Sequence, residues 1–304
     1  MSETQLPAVA LAAVPKRRRA TLEMAREIER RGYAGIYCAS VGDALGLCLA
    51  IAMETEHIPF GTAICNIYTR TPFDYATSTS LIHELSGGRF SFGVGVSHQP
   101  MLERMGLAGD PRPLAGMRSF VEAWRAVDRS GEQPPLILAG MRKKMVALAG
   151  ELGEGLVFAN GARSHMADSL ASLPGSIASK DNFFAGCMIP TCISEDRAAA
   201  AAVSRRTLSF YVRLPNYRNY WKEAGYVEEM EAIEKALEQG ERDRVPELMS
   251  DAWLADCTLH GSPAEVREGL EAWVEAGITT PIVVPSSAVG NQMAAFEELF
   301  ALYD

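Results

Sequence analysis

Short runs rich in β-branched and aromatic residues alternate with amphipathic, helix-like segments along nearly the whole chain. Eight of these runs predict strands: Leu6–Val14, Ala34–Cys38, Ile58–Cys65, Phe90–Val96, Pro135–Ala139, Gly155–Ala159, Phe183–Ile193 and Pro281–Val284. Helical periodicity follows them in the segments Arg17–Arg31, Asp43–Glu54, Pro72–Leu85, Leu114–Arg129, Arg142–Leu152, Ser164–Leu173, Pro263–Ala276 and Gln292–Leu302. Eight strands, each followed by helical sequence, predict an α/β fold of the (β/α)8 (TIM) barrel type.

The sequence between the seventh and eighth strands is too long for one crossover. From Arg197 to Cys257 its pattern is helical, with breaks near Pro215 and Gly240. We interpret residues 197–257 as a helical insertion after strand seven, over the carboxyl ends of the strands, within a single domain spanning residues 1–304. An open doubly wound sheet is the alternative, but no G-x-G-x-x-G follows the first strand.

Composition narrows the possible functions. The 304 residues are 48% hydrophobic, which suits one large α/β domain. A net charge of −9 argues against a nucleic-acid partner. No apolar run reaches 18 residues, so we expect no membrane span. The basic run Lys16–Arg19 follows the first apolar stretch instead of preceding it, which is not the order of a signal peptide.

The cysteines indicate a reducing compartment. None of the six forms a C-x-x-C pair, and most lie in apolar, strand-like sequence. We therefore expect free, buried thiols and a cytoplasmic protein. No His or Cys pair has the spacing of metal ligands, so no metal site is predicted.

Functional groups of a (β/α)8 barrel lie at the carboxyl ends of its strands. His98 follows the fourth strand, and an imidazole there is a candidate general acid or base. Hydrogen bonding to substrate and a purely structural role are the alternatives for His98. Ser40, after the second strand, is a further catalytic candidate, whereas Asp43 either serves the site or caps the next helix.

The end of the fifth strand favours an anion. Ala139, Gly140 and Met141 stand just before a helix, whose free backbone N–H groups and dipole attract a phosphate. Plain packing is the alternative. Small residues at several strand ends also allow a flat ring to approach the backbone closely.

Several motifs resemble the luciferase-like monooxygenase family. His83–Phe90 (HELSGGRF), followed by Gly93–His98 (GVGVSH), resembles the family pattern D-x-L-S-G-G-R-x-x-L-G-x-G. Gly61–Pro72 (GTAICNIYTRTP) resembles the third-strand motif of its deazaflavin branch, which includes methylenetetrahydromethanopterin reductase. Residues 138–155 and 261–266 resemble later family motifs, in family order.

This resemblance implies an oxidoreductase that transfers a hydride between coenzyme F420 and a small organic substrate. An FMN-dependent monooxygenase using reduced flavin and O2 is the alternative, and a non-catalytic flavin-binding barrel is a third possibility. A flavin-free lyase or isomerase would need paired carboxylates or a lysine at strand ends, which the sequence lacks. Relatives often form homodimers, so we expect one here.

The resemblance also implies roles for particular residues. In related enzymes a bulge in the third strand, often with a non-prolyl cis peptide, lies behind the flavin ring, which assigns cofactor binding to Thr62, Ala63, Ile64 and Asn66. Further cofactor candidates at strand ends are Ser97, Ala139, Gly140, Met141 and Asn160.

Two stretches qualify the resemblance. Relatives commonly carry an Asp-His pair after strand two, whereas Cys38–Asp43 reads CASVGD, so sugar-phosphate dehydrogenation is not implied. Ser86–Arg89 identifies the fold and punctuates it. Asn216–Trp221 (NYRNYW), in the insertion, is either part of a substrate-selecting lid or a helix-packing segment.

Overall fold

The computed structural model of the chain describes residues 6–178 and 182–304. Its strands are β1 (Ala8–Leu11), β2 (Gly35–Ala39), β3 (Phe60–Ala63), β4 (Cys65–Asn66), β5 (Phe90–Gly95), β6 (Leu136–Ala139), β7 (Gly155–Ala159), β8 (Phe184–Ile193), β9 (Leu259–Gly261) and β10 (Thr280–Ser286). They form one sheet in the order β10-β1-β2-β3-β5-β6-β7-β8-β9, with β4 beside β5 and β10 also paired with β8. The predicted (β/α)8 barrel fold is confirmed, with β3 and β4 as two parts of one barrel strand.

Helices connect the strands. They are α1 (Arg18–Arg30), α2 (Ala44–Glu54), α3 (Pro72–Leu85), α4 (Gln99–Arg104), α5 (Pro113–Arg125), α6 (Lys143–Leu152), α7 (Met166–Leu170), α8 (Gly175–Ala178), α9 (Arg197–Tyr211), α10 (Pro215–Glu223), α11 (Val227–Glu238), α12 (Asp251–Cys257), α13 (Pro263–Glu275) and α14 (Gln292–Ala301). Two 3₁₀ segments cover Arg163–His165 and Arg242–Leu248.

Contacts divide the chain into two compact units. Unit 1 comprises residues 1–158 and 171–186, and unit 2 comprises residues 159–170 and 187–304. Unit 1 holds β1 to β6 and most of β7, and unit 2 holds most of β8 with β9, β10 and the helices from α9 onward. The organisation into a single domain stays a prediction.

Aromatic side chains fill the core of unit 1. Phe92, on β5, meets Tyr75 of α3 and Trp124 of α5, with ring centroids 5.3 and 5.6 Å apart. Phe60 and Phe90 pair in the same way at 5.6 Å. All five rings are buried, so the helices outside the sheet pack on rings that the strands project outward.

The guanidinium of Arg89 joins three elements of unit 1. It donates hydrogen bonds of 2.8–3.2 Å to the carbonyl oxygens of Ala52, Thr55 and Ile58 and to the Thr55 hydroxyl, and it lies over the Phe60 ring. The two glycines of Ser86–Arg89 have φ of +63° and +86°, which suits a helix end. The motif therefore punctuates the fold, as the sequence indicated.

Unit 2 contains the predicted insertion. Four α-helices, α9 to α12, and one 3₁₀ segment lie between β8 and β9. The chain breaks before Pro215, where α10 begins, and near Gly240, after the end of α11, close to the predicted positions. The indoles of Trp221 and Trp253 meet edge to face at 4.9 Å in its core. Burial of these rings holds the short helices together.

The structure departs from the sequence prediction at several elements. The third strand is split at Ile64, and the first strand is Ala8–Leu11 instead of Leu6–Val14. Neither α4 nor β9 was expected, because each is too short to show a helical or strand-like pattern of hydrophobic residues. All six cysteines are free and buried, as predicted. Among the described residues, no helix combines the length and apolarity needed to cross a membrane.

Candidate active site

A bulge interrupts the third barrel strand in unit 1. Gly61 pairs with Ser91, and Cys65 pairs with Val94. Between these two pairs the third barrel strand therefore contains one residue more than β5 does. The extra residue lies in the segment around Ala63–Ile64, whose peptide bond is cis. The bulge and the cis peptide agree with what the family resemblance implied.

The side chain of Thr62 bridges the bulge to β5. Its hydroxyl donates to the Gly93 carbonyl at 2.7 Å and accepts the Gly93 N–H at 2.9 Å, in place of the interrupted ladder. A Cβ at Gly93 would overlap the Thr62 carbonyl oxygen, so glycine is required there. The Thr62 hydroxyl is therefore committed to the strand, and only its backbone remains for a cofactor.

Ile64 and Ala139 come together over Gly95. A Cβ placed on Gly95 would lie 2.9 Å from Cδ1 of Ile64 and 3.2 Å from Cβ of Ala139. The Ile64 side chain thus covers the glycine, and Ala63 beside it is buried. This arrangement provides a small, apolar surface at the carboxyl ends of β3, β5 and β6.

Asn66 supplies a polar group next to that surface. It pairs with Gly95 in the sheet, is 8% exposed, and its Oδ1 accepts the N–H of Tyr68 at 3.0 Å. Its Nδ2 is buried and makes no hydrogen bond with a described residue. A buried donor of this kind costs free energy unless a ligand acceptor pairs with it.

Ser97 and His98 follow β5. Ser97 has φ of +59°, in the left-handed region that a serine seldom occupies, and such conformations concentrate at functional sites. His98 is partly buried and directly precedes α4. Burial lowers the pKa of the His98 imidazole below its ordinary 6.5, so the ring is neutral at pH 7 and able to take a proton.

The predicted anion site lies between β6 and α6. The Gly140 N–H donates to the Val157 carbonyl at 3.1 Å and is therefore not free for a phosphate. Beyond it, Met141 is partly exposed, and Lys143 and Lys144 open α6 with no acidic residue in its first turn. Two exposed cations at the positive end of a helix dipole favour an anion there.

Ser40 and Asp43, both after β2, have different surroundings. Ser40 is exposed, and within the described chain its side chain makes no hydrogen bond, so its catalytic role stays a prediction. Asp43 accepts the Gly46 N–H at 3.0 Å and caps α2. The capping alternative for Asp43 is thus confirmed.

The stretch after the bulge serves the local structure. Thr71 caps α3 by accepting the Asp74 N–H at 3.1 Å, and Arg70 lies 3.5 Å from the Asp74 carboxylate. The hydroxyl of Tyr68 accepts the Asp110 N–H at 3.1 Å and so fastens the loop that follows α4. This last contact could not be predicted from the sequence, because its partners are 42 residues apart.

Asn160 lies in unit 2, where the insertion holds it. Its φ is +54°, and its carbonyl accepts the Trp221 indole N–H at 3.1 Å. Two residues later, the Ala162 N–H donates to the Tyr220 hydroxyl at 3.1 Å. Tyr217, Tyr220 and Trp221 are all buried, so the packing alternative for Asn216–Trp221 is confirmed.

Asp256 is a polar residue that sequence reasoning missed. Its buried carboxylate accepts the Ser164 N–H at 2.9 Å, the Ser164 hydroxyl at 2.7 Å and the Tyr226 hydroxyl at 2.9 Å. These bonds tie the segment after β7 to α12. Across residues 6–178 and 182–304, no group of three or more His, Cys, Asp or Glu side chains is placed to hold a metal ion.

The chain matches a known protein family over most of its length. The model of the luciferase-like monooxygenase family matches residues 4–280 of the chain. The chain belongs to that family. As a luciferase-like protein, it is an F420- or flavin-dependent oxidoreductase or monooxygenase.

Two reductases are similar to this chain. A 5,10-methylenetetrahydromethanopterin reductase of Archaeoglobus fulgidus is 26% identical over 268 residues, covering 79% of this luciferase-like chain and 80% of the relative. The structure of the coenzyme F420-dependent tetrahydromethanopterin reductase of Methanopyrus kandleri superposes with a TM-score of 0.78 at 18% identity, covering 97% of each chain.

A flavin protein has the same fold. The oxygenating constituent of 3,6-diketocamphane monooxygenase from Pseudomonas putida, a type II Baeyer–Villiger monooxygenase in complex with FMN, superposes with a TM-score of 0.67 at 14% identity. It covers 99% of this luciferase-like chain and 97% of its own. These structural likenesses establish the fold that the chain shares with both.

Proposed function

We propose that this chain transfers a hydride between coenzyme F420 and a small organic substrate. The observation that carries the proposal is the buried, unpartnered Nδ2 of Asn66 beside the bulge at Ala63–Ile64. A donor in this state, next to an apolar surface at the carboxyl end of a barrel strand, suits the carbonyl edge of a flat heterocycle.

The residues of unit 1 fit such a cofactor. Ile64 over Gly95, with Ala139 beside it, offers a flat apolar surface for the ring. Lys143 and Lys144, at the start of α6, suit the cofactor phosphate. When bound, the deazaflavin supplies a ring carbon that accepts or donates a hydride.

His98 has the proton chemistry that this reaction needs. Its imidazole is neutral at pH 7, because burial lowers its pKa. One ring nitrogen of His98 takes the proton of a substrate hydroxyl during oxidation and returns it during reduction. The left-handed backbone conformation of Ser97 turns the chain just before His98. Ser40 follows β2 and exposes its hydroxyl, which we propose as a second hydrogen-bonding group for the substrate.

The sequence relatives support F420 over FMN. The reductase of Archaeoglobus fulgidus matches across four fifths of both chains, and the F420-dependent reductase of Methanopyrus kandleri has the higher TM-score of the two structures compared. An FMN-dependent monooxygenase is the second candidate, since the Pseudomonas putida protein binds FMN on the same fold.

Titration with each oxidised cofactor tests the proposal. We expect F420 fluorescence to be quenched at micromolar protein and FMN to bind at least about tenfold more weakly, about 1.4 kcal/mol. Asn66→Asp keeps the acceptor for Tyr68 but replaces the donor, and we expect it to weaken F420 binding by about tenfold or more. Asn216→Asp, at an exposed asparagine, is the matched control.

Tight binding of FMN with none of F420 would replace the proposal with the monooxygenase alternative. Equal affinity of the wild type and Asn66→Asp would remove Asn66 from the cofactor site. Turnover is then measured with the F420-loaded protein as loss or gain of the absorbance of the oxidised cofactor.

We further propose that the chain acts as a homodimer through an apolar face of unit 1. The outer sides of α2 and α3, which pack together, expose Met53, Phe73, Leu81 and Leu85, of which Met53 is 67% and Phe73 63% exposed. Exposed apolar side chains that share one face in this way are candidates for an interaction site. The same face on a second copy gives a symmetric contact.

A cytoplasmic location is also part of the proposal. The six buried cysteines are free, and free thiols persist in a reducing compartment. Fractionation of the producing cells, followed by detection of the chain in each fraction, tests it.

A further inference from the structure

The phenol of Tyr68 contacts both the loop after α4 and the first turn of α5. Its hydroxyl accepts the Asp110 N–H at 3.1 Å. A Cβ placed on Gly109 would lie 3.6 Å from Cε2 of the Tyr68 ring, and a Cβ placed on Gly116 would lie 2.9 Å from its hydroxyl oxygen. Two glycines thus leave the space that the phenol fills, and the loop packs against it.

Leu102 joins this loop to His98. It is the buried residue of the six-residue helix α4, and a Cβ placed on Gly109 would lie 2.6 Å from its Cδ1. Its N–H donates to the His98 carbonyl at 3.1 Å, and its carbonyl accepts the Leu107 N–H at 2.9 Å. With one buried side chain, α4 has little packing of its own, so its position depends on the loop that Tyr68 contacts.

The bond between Tyr68 and Asp110 has no substitute in the described chain. Apart from the bonds at its two ends, it is the one hydrogen bond that joins residues 99–112 to other described residues. The remaining side-chain bonds of this segment stay inside it, such as that from Gln99 to Glu103 at 3.0 Å. Loss of the Tyr68 hydroxyl therefore leaves the segment attached by its ends and by the packing of Leu102.

The backbone of Tyr68 belongs to a well-held turn. Its N–H donates to Oδ1 of Asn66 at 3.0 Å. The Asn66 carbonyl accepts the hydroxyls of Thr69 at 2.8 Å and of Tyr75 at 2.6 Å, and Tyr75 is buried in the core of unit 1. Tyr68 therefore contacts both parts of the proposed site, since its backbone holds the Asn66 amide and its side chain holds the segment that follows His98.

We propose that Tyr68 is a positioning residue of this enzyme, whose hydroxyl holds α4 so that His98 keeps the place from which it exchanges a proton with the substrate. Tyr68 acts through Asp110 and Leu102 and transfers no proton itself. Small displacements of a catalytic group are costly, so a group that fixes its segment affects the rate. The inference rests on the proposed function for the reaction that His98 serves, and on the contacts of Tyr68 for the positioning.

The first test observes His98 in the full-length chain without cofactor. Tyr68→Phe removes the hydroxyl and keeps the ring and the backbone N–H. The chain is labelled with ¹⁵N at its five histidines and titrated by NMR, and His98→Asn identifies the signal of interest. Burial keeps the wild-type pKa of His98 below 6.5, and we expect Tyr68→Phe to raise it towards 6.5, because a looser α4 lets water reach the ring. The substitution removes no charge, and the charged side chains of the segment stay the same: Glu103, Arg104, Asp110 and Arg112.

Turnover of the F420-loaded chain is the second readout. We expect Tyr68→Phe to lower kcat by about tenfold. The Kd for F420 should not change, because the backbone N–H of Tyr68 still holds Asn66. The acid limb of kcat/KM should move to higher pH, because His98 then takes up its proton at higher pH and can no longer accept one from the substrate.

Two further variants separate positioning from general stability. Gly116→Ala reaches the same contact from α5, because its methyl group would displace the Tyr68 hydroxyl, while alanine favours the helix. We expect it to raise the pKa of His98 as Tyr68→Phe does, with an unfolding midpoint in urea close to that of the wild type. Tyr226→Phe is the matched control, since it removes a hydroxyl that bonds to Asp256 in unit 2. It should lower the unfolding midpoint and leave both kcat and the pKa of His98 unchanged.

Several outcomes overturn the positioning role. It is overturned if the pKa of His98 is the same in the wild type, Tyr68→Phe and Gly116→Ala. An equal change at all five histidines, or the same change in Tyr226→Phe, also overturns it, because either result means general loosening. A chain in which His98 responds but F420 does not bind keeps the hold of Tyr68 on His98 and refutes the proposed cofactor. If Tyr68→Phe turns over F420 at the wild-type rate, the role of Tyr68 alone is refuted.

Discussion

Burial sets the protonation of His98, the side chain with proton chemistry in the proposed mechanism. Its folded pKa lies below 6.5, so the unfolded chain binds more protons than the folded one between the two values. Stability from this group is therefore present above pH 6.5 and is lost as the pH falls below it. The same protonation removes the imidazole's capacity to accept a proton.

Replacement of His98 tests this role. His98→Asn is expected to lower kcat/KM by about 10² to 10⁴ and to abolish the fall in activity on the acid side below pH 6.5. The measurement is a pH profile of kcat/KM for the F420-loaded chain. His57→Asn, at an exposed histidine near Glu29, is the control and should keep both the rate and the acid limb.

Single residues show where sequence reasoning stops. The position of His98 after a strand was enough to select it, because barrel topology places strand ends at the site. The bond between Thr62 and Gly93 spans 31 positions and depends on the bulge, which no local pattern specifies. The unpaired Nδ2 of Asn66 could not be predicted either, since it depends on which neighbours fail to reach it.

Arg89 acts at the scale of elements, because its guanidinium joins the end of α2, the start of β3 and the turn into β5. Arg89→Lys replaces a planar group with several donors by one ammonium, and buried carbonyl oxygens lose partners. We expect it to lower the free energy of unfolding by about 2–4 kcal/mol, measured by urea denaturation.

The comparison variant is Arg118→Lys. The guanidinium of Arg118 donates two hydrogen bonds, both to Glu151 on the exposed surface, where ion pairs contribute little. Its unfolding midpoint should match that of the wild type. Lysine keeps the positive charge, so an unchanged midpoint for Arg89→Lys would show that Arg89 contributes as a charge and not through its hydrogen bonds.

Most long helices and strands could be predicted from the sequence, because their hydrophobic periodicity and the capping or turn residues at their ends indicate the same bounds. The helix Pro263–Glu275 begins with a capping box, in which Ser262 and Glu265 bond to each other's backbone N–H. The strand β9, Leu259–Gly261, was missed because three residues carry no period and the strand exists through its pairing with β8. The six-residue helix α4 was missed for the same reason of length.

At the scale of the whole molecule, the topology could be predicted, because alternating strands and helices joined by right-handed crossovers allow few strand orders. Its division into compact units was not, because unit 2 takes residues 159–170 from the middle of the chain. Which residues cluster depends on contacts between distant segments. Composition and period do not report such contacts.

The oligomeric state belongs to this scale as well. Met53→Glu combined with Leu81→Glu places two charges on the apolar face of α2 and α3, and we expect a dimer to become a monomer. Sedimentation velocity at micromolar chain measures the change. Val274→Glu, at an equally exposed hydrophobic residue of α13, should leave the sedimentation unchanged. A wild type that sediments as a monomer would refute the dimer.

The bonds around Asn160 also fix an order of events during synthesis. Its segment leaves the ribosome well before Tyr220, Trp221 and Asp256, whose bonds to it span 58, 61 and 92 residues. At usual rates of elongation the gap is about 3 to 20 s. For that time the nascent chain carries the strand end without the groups that hold it, so chaperones can contact this segment until α12 has been translated.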